Sequence, residues 1–300
     1  MSPRISVIIV NYNAGLELGR CVQSVVETGE DLEIVVVDND SRDNSIQDLL
    51  ASYQEKKKLT ILENKENLGF AVACNQGSRA SKGEFLFYLN PDCLVEPETI
   101  TILLHCLQNN PQAGMAGGLI LNRDGSEQRG CRRAIPTPWK SLVNSFGLKH
   151  LAKLNKEVFT DFRLDQEPLP ERAMEVDAIS GACMLVSRTV FNDVGPMDEG
   201  YFLHCEDLDW CMRFRQKGWK IMFVPQARLV HNKGHCSVSR PVFVEWSKHK
   251  GMVRFYRKFF ADQHLKPMQW FIWLGILLRF CLSVAKLYFR RLFRIGKKSA

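Results

Sequence analysis

Over the first 121 residues, short apolar runs alternate with helical stretches, and each run ends in polar residues. Residues 5–10 (Ile-Ser-Val-Ile-Ile-Val) are β-branched and nearly all apolar, as in a strand buried on both faces. Asn11-Tyr12-Asn13 ends that run, and a helix is expected over about 16–26. Residues 32–37 read as a second strand ended by Asp38-Asn39-Asp40-Ser41, with Ser45 placed to cap a helix toward Tyr53. A third strand (59–63), a helix (70–80) and a fourth strand (84–89) follow. Such alternation predicts an α/β fold, a mostly parallel central sheet with helices on both faces. Ligands of such sheets bind beyond the carboxyl ends of the strands.

Downstream the pattern loosens. A helix is expected from Pro97 to about Gln108, and a strand over 114–121. Residues 122–172 carry Pro136, Pro138, Pro168 and Pro170 and read as an insertion or acceptor-side loop. Residues 176–186 return to strand-like composition, 206–217 read as a helix and 220–224 as a last strand. The expected division is a catalytic domain over 1–237, with a donor half to about 121 and an acceptor half beyond it. A helical extension over 238–300 completes the chain.

Four of the polar strand ends carry candidate chemistry. Asp38 can accept the imide N–H of a uracil or thymine, with Asn39 and Ser41 adding hydrogen bonds; a solvated Asx turn would read the same. In Asn67-Leu68-Gly69-Phe70-Ala71, Gly69 permits a positive φ or a close backbone approach to a ligand, and the helix start offers amides to phosphate. A capped helix start with a packing glycine is the alternative. Asn75, further along, is in reach of a sugar or phosphate oxygen. Asn90-Pro91-Asp92 follows a fully apolar run. Mg²⁺ or Mn²⁺ takes a carboxylate while substrate phosphates complete its shell, so Asp92 is the expected ligand and Asn90 a weaker support. Asn-Pro-Asp is also ordinary turn chemistry.

The fourth is Glu206-Asp207-Leu208-Asp209-Trp210-Cys211-Met212-Arg213. The helix dipole alone favours its carboxylates. As a site, one of them is a general base, Asp207 first and Glu206 second. The spacing sets Trp210 and Phe214 on one face and Arg213 near Asp209. His231 is a metal or phosphate ligand, or a structural histidine. Lys233 can neutralise a diphosphate or stand in solvent.

In their order and spacing these elements resemble the family-2 glycosyltransferases, inverting enzymes of the GT-A fold, over roughly 5–237. Ser180-Gly181-Ala182-Cys183-Met184 and the segment 202–213 add to the match. The chain looks most like the bacterial rhamnosyltransferase-type members that extend cell-surface polysaccharides. The resemblance implies a nucleotide-diphospho-sugar donor, a Mg²⁺ or Mn²⁺ ion, a saccharide or lipid-linked acceptor and direct displacement at the anomeric carbon. It places Asn11, Tyr12 and Asn13 among the donor contacts, with Asp38 at the base. Asn90-Pro91-Asp92 stands where the family often has Asp-x-Asp, so Asp92 carries the metal. A catalytically silent nucleotide-sugar or carbohydrate-binding protein on the same scaffold is the alternative.

Charge changes the picture at one end only. The net charge is +7, yet residues 263–300 hold eight Lys or Arg and no acid, which leaves 32 basic against 33 acidic residues elsewhere. A near-neutral body argues against a nucleic-acid partner, and a basic tail favours an anionic membrane surface. The run before Arg279 is too short to span a bilayer. Gly275, Arg279, Ser283, Lys286, Arg290 and Lys297 share one helical face, and Trp273, Leu274, Leu277, Cys281, Leu282, Val284, Ala285, Tyr288, Phe289 and Leu292 the other. This is the pattern of a basic interfacial helix, or of a helix docked on the catalytic domain or a homodimer partner. The ten cysteines show no C-x-x-C pair, and no signal-peptide pattern opens the chain. The expected place is the cytoplasm, at the inner face of the membrane.

Overall fold

The computed structural model describes residues 4–53, 58–145, 162–232 and 240–296. The apolar runs become β1 (Ile5–Asn11), β2 (Leu32–Asp38), β3 (Leu59–Glu63) and β4 (Phe85–Leu89), a parallel block in the order β3-β2-β1-β4. Every residue of β1 is buried, so both faces of the strand are covered. α3 (Phe70–Ala80) covers one face so closely that a Cβ at Gly77 would fall 2.6 Å from the Ile8 side chain. α1 (Leu16–Val26) and α2 (Ser45–Ser52) pack together. Ser45 does not cap α2: it is the first helical residue, and its hydroxyl donates to Asp43 Oδ1 at 2.6 Å.

The second half is mixed rather than parallel. β6 (Ala113–Leu121) and β11 (Lys220–His231) run together, and β10 (Cys183–Ser187) lies antiparallel between β4 and β6. β5 (Cys93–Val95) and β8 (Met174–Val176) pair antiparallel with β11. The strand-like stretch over 176–186 is three pieces: β8, β9 (Ala178–Ile179) and β10. Asp177 breaks the run by accepting from Ile135 N, and Cys183 N closes a turn onto Ser180 O. β9 pairs with β7 (Arg132–Arg133) in a separate two-stranded sheet.

β11 runs seven residues past the expected end. Pro225 interrupts the apolar pattern, but the strand passes it in a bulge: the register jumps from Val224 opposite Gly118 to Arg228 opposite Leu119. The bulge presses the Ala227 carbonyl onto residue 118, leaving no room for a Cβ there. His231 therefore ends a strand rather than following one.

α4 (Thr99–Gln108) packs on β6 and β11, α5 (Pro138–Ser145) lies in the proline-rich stretch, and α6 (Arg188–Val194) follows β10. α7 (Glu206–Gln216) buries Trp210 completely, edge-on to Tyr88 and Phe214 and with its indole N–H on Gly195 O. Arg213 meets Asp209 at 2.9 Å, as the spacing predicts.

α8 (Pro241–Phe259) is tied to this body. Lys258 reaches the fully buried Asp209 at 2.7 Å, and Arg254 and Lys258 both hold Asp198. α9 (Lys266–Gly296) packs along α8. Within its stretch Lys266–Phe289 an 18-residue window has a mean hydropathy of 1.7 with none of that window buried, so by length and composition the helix can cross a membrane, contrary to expectation. The expected division into faces also shifts. Arg279 is half-buried, beside Phe280, and Trp273 lies under the Arg257 guanidinium, so both belong to the side packed on α8. The outward side carries Trp270, Phe271, Leu274, Leu278, Leu282 and Phe289.

Candidate active site

Six strands bring polar groups to one rim of the sheet. Asn11 and Asp38 end β1 and β2 in register, and Asn90 follows β4. Cys183, where β10 begins, lies opposite Leu89, and His231 lies opposite Cys93 at the start of β5. Among the described residues, all four non-glycine positive-φ positions (Asn13, Asp40, His204 and Cys205) follow β1 or β2 or precede α7. Such backbone strain persists where surrounding structure holds it, often at functional sites.

At the β1–β2 end, Asp38 is oriented from both sides. Asn11 Nδ2 donates to its Oδ1 at 2.7 Å, and Ser41 N to its Oδ2 at 3.0 Å. Asn11 is fully buried and also donates to Ser45 Oγ, so its side chain lies beneath the carboxylate rather than facing a donor. Asn13 N donates to Ser41 Oγ, and Asn13 Oδ1 accepts from Arg42 N. Tyr12 is half-buried beside them.

Asn39 is a strut rather than a donor contact. Its Nδ2 donates to Gly69 O, and its Oδ1 accepts from Asn64, a residue the sequence did not single out. Asn67 Oδ1 accepts from Gly69 N. Gly69 takes φ +91, and the close approach it permits is to Phe202: a Cβ would sit 2.6 Å from the Phe202 carbonyl, which accepts from Phe70 N. Asn75 is engaged on both ends, donating to Met197 O and Glu199 and accepting from Met197 N. It ties α3 to the loop before α7, and no amide group is left for a sugar.

Asp92 and His231 form the candidate metal pair, with Oδ1 and Nε2 2.9 Å apart and both side chains buried. His231 Nδ1 lies 2.7 Å from Gln128 Oε1. Gln128 is oriented by its Nε2, which donates to Asn122 Oδ1 and to His231 O. The ring proton is therefore assigned to Nδ1, and in the neutral ring the Nε2 lone pair faces a carboxylate. Two acceptors face to face fit a divalent cation between them. The second partner that fixes the ring is also the usual arrangement around a metal-binding histidine. Asn90 turns its amide nitrogen toward the same Nε2 at 3.4 Å, so it stands beside the pair rather than in it. Cys93 completes the geometric cluster, but burial and then the Asp92 charge push its thiol well up, and it stays protonated. Lys233 lies outside the described residues.

Asp207 is reached through one short segment. Asn90 N donates to Ala182 O, and Gly181 N donates to Asp207 Oδ2 at 3.2 Å. Arg133 Nη2 meets the same oxygen at 2.5 Å. Burial opposes charge on Asp207, but Arg133 and the amides of Gly181 and Leu208 outweigh it and hold the carboxyl below its usual range. Glu206 goes the other way. Burial, then the Asp207 charge, push it up to about 8, and its buried Oε2 has no hydrogen-bond partner. A carboxyl whose folded pKa exceeds its unfolded value stabilises the fold fully below the unfolded pKa and loses that as pH rises through the folded one. Urea midpoints of Glu206→Gln should therefore gain on those of the parent chain from about pH 4.5 to 8. Parallel pH profiles would refute the assignment.

Comparison with known proteins gives the family and the fold. The family model described as glycosyl transferase family 2 matches residues 6–195. The chain is 29% identical over 289 residues to the N-acetylglucosaminyl-diphospho-decaprenol L-rhamnosyltransferase of Mycobacterium tuberculosis (strain CDC 1551 / Oshkosh), covering 90% of this chain and 89% of that one. It is 29% identical over 280 residues to the dTDP-rhamnosyl transferase RfbF of Shigella flexneri, covering 86% and 78%. In fold it is similar to the mannosyltransferase PcManGT from Pyrobaculum calidifontis, solved with GDP-Man and Mn²⁺. That likeness has a TM-score of 0.58 at 16% identity, over 100% of this chain and 81% of the other. With more than half its length matched and the GT-A arrangement of strands in place, this chain is a member of glycosyl transferase family 2.

Proposed function

We propose that the chain is a metal-dependent, inverting rhamnosyltransferase that uses a deoxythymidine-diphospho-rhamnose donor and a diphospho-lipid-linked saccharide acceptor. The two rhamnosyltransferase relatives support the donor, and the diphospho-decaprenol acceptor in the name of the mycobacterial enzyme supports the acceptor. One observation carries the mechanism: adjacent residues, Gly181 and Ala182, hold Asp207 and the Asn90 loop, so base and metal pair stand together.

In this reading Asp38 accepts the imide N–H of the base. Asp92 and His231 hold Mn²⁺ or Mg²⁺, and the nitrogen ligand favours Mn²⁺ because Mg²⁺ keeps to oxygen. The bound ion supplies charge neutralisation for the leaving diphosphate. Asp207 takes the proton of the acceptor hydroxyl as that oxygen attacks the anomeric carbon from the side opposite the diphosphate. Glu206, neutral at pH 7, cannot serve as a second nucleophile, which favours a single displacement and inversion. Asn90 standing in place of Asp would favour a silent binder; with His231 as Asp92's partner, residue 90 is not needed as a ligand. The apolar outward side of α9 supports attachment to a membrane, where a lipid-linked acceptor resides.

Incubation with deoxythymidine-diphospho-rhamnose, Mn²⁺ and a polyprenyl-diphosphate-linked N-acetylglucosamine should release deoxythymidine diphosphate and add one deoxyhexose, with the new linkage inverted by NMR. Product formed only from uridine-linked hexoses would overturn the donor, and retained configuration would overturn the mechanism.

A further inference from the structure

A groove of about 680 Å³ lies between α8 and α9, away from the metal pair. Its walls combine aromatic and cationic groups: Trp246, His249, Lys250, Arg257, Trp273 and Phe280. The sole acid lining it is Asp198, which is engaged by Arg254 and Lys258. Lys250 and Arg257 have no acidic partner among the described residues, and Arg257 lies over the Trp273 ring. Two ring nitrogens on the groove are buried without a hydrogen bond, His249 Nε2 and Trp273 Nε1. His249 is 3% exposed and gives Nδ1–H to Glu245 O, so only Nε2 is left for a guest. Buried polar atoms are normally satisfied, and these two, closed to solvent as they stand, meet a guest only when their rings turn toward the groove.

The groove floor belongs to the loop that leads to the base. Asp198 and Gly200 line it, Phe202 O holds the start of α3, and the helix bearing Asp207 begins at Glu206. We propose that this groove binds the diphosphate and first prenyl carbons of the lipid-linked acceptor, an inference that rests on the sugar-transfer reading above. Lys250 and Arg257 meet the two phosphates, each of which carries one charge in a diphosphodiester. The Trp273 N–H donates to a phosphate oxygen. Trp246, Phe280 and the exposed apolar side of α9 lie along the hydrocarbon.

The probe is farnesyl diphosphate, titrated into the full chain in neutral detergent with EDTA, so that the metal pair is silent, and followed by tryptophan fluorescence. Saturable binding is expected, at least about tenfold tighter than for farnesol or inorganic diphosphate. Lys250→Ala with Arg257→Ala should weaken it about tenfold or more and raise the KM for the lipid-linked acceptor alike. Donor KM and transfer to a lipid-free saccharide should stay unchanged. Unaltered farnesyl diphosphate binding by the double variant would overturn the proposal. So would a variant that loses only flotation with phosphatidylglycerol vesicles, since that marks a site for bulk headgroups. A parent chain that binds the probe but transfers no sugar refutes the catalytic reading instead, so the two failures are distinguishable.

Discussion

Asp207→Asn is expected to lower kcat for sugar transfer by about 10²–10⁴-fold, the range for loss of a general base, with donor affinity held. The amide keeps the shape and can still accept from Gly181 N, but it cannot take the hydroxyl proton. Arg133 makes the result informative. It lies against the same oxygen and keeps the carboxyl ionised between turnovers. Arg133→Met should therefore move the acid limb of the kcat profile to higher pH, as the Asp207 carboxyl loses the cation that depresses it. Asp207→Asn should leave no such limb. Turnover near that of the parent chain in Asp207→Asn would transfer the role to another group.

Donor binding should lose its metal dependence in Asp92→Ala and in His231→Ala. Each change removes one of the two side chains that hold the ion, and a diphosphate alone does not replace them. Gln128→Leu gives a graded version, because it leaves both ligands but frees the ring that Gln128 orients. Loss of such an outer partner costs about 10–100-fold in metal affinity. Calorimetric titration of deoxythymidine-diphospho-rhamnose with Mn²⁺ and with EDTA reads all three variants. Identical donor affinity with and without metal in the parent chain would remove the ion from the account, and Asp92 and His231 would then be a structural pair.

The parallel half of the fold was legible because its signal is periodic. Residues 5–10 and 32–37 are apolar but for Ser6 and Glu33, and β1 and β2 stand there with one added polar residue each at the end, Asn11 and Asp38. The antiparallel half was not. β8, β9 and β10 are short, and nothing local tells an antiparallel insertion from a parallel strand. Pro225 hid the rest of β11, since a bulge reads in sequence as an ending. Among candidate site residues, Asp38, Asp92, Asp207 and His231 stood out in the sequence because they follow or end strands or open a helix. Arg133 and Gln128 lie in a proline-rich stretch without period and meet their partners across 74 and 103 residues. Asn11, Asn39 and Asn75 erred the other way. A buried amide that ties two loops and an amide that faces a ligand look alike until their partners are seen.

The clasp of Lys258 on Asp209 has a practical consequence. Asp209 is wholly buried two positions after Asp207, and part of its compensating charge comes from α8. Trimming the protein at the family-like border near residue 237 would strip that cation from the helix that positions Asp207. Arg213 and Tyr201 would remain, but the Gly251 backbone that braces His204 would be gone. A soluble version for crystallisation should instead keep everything through Gln263 and dispense with α9 alone.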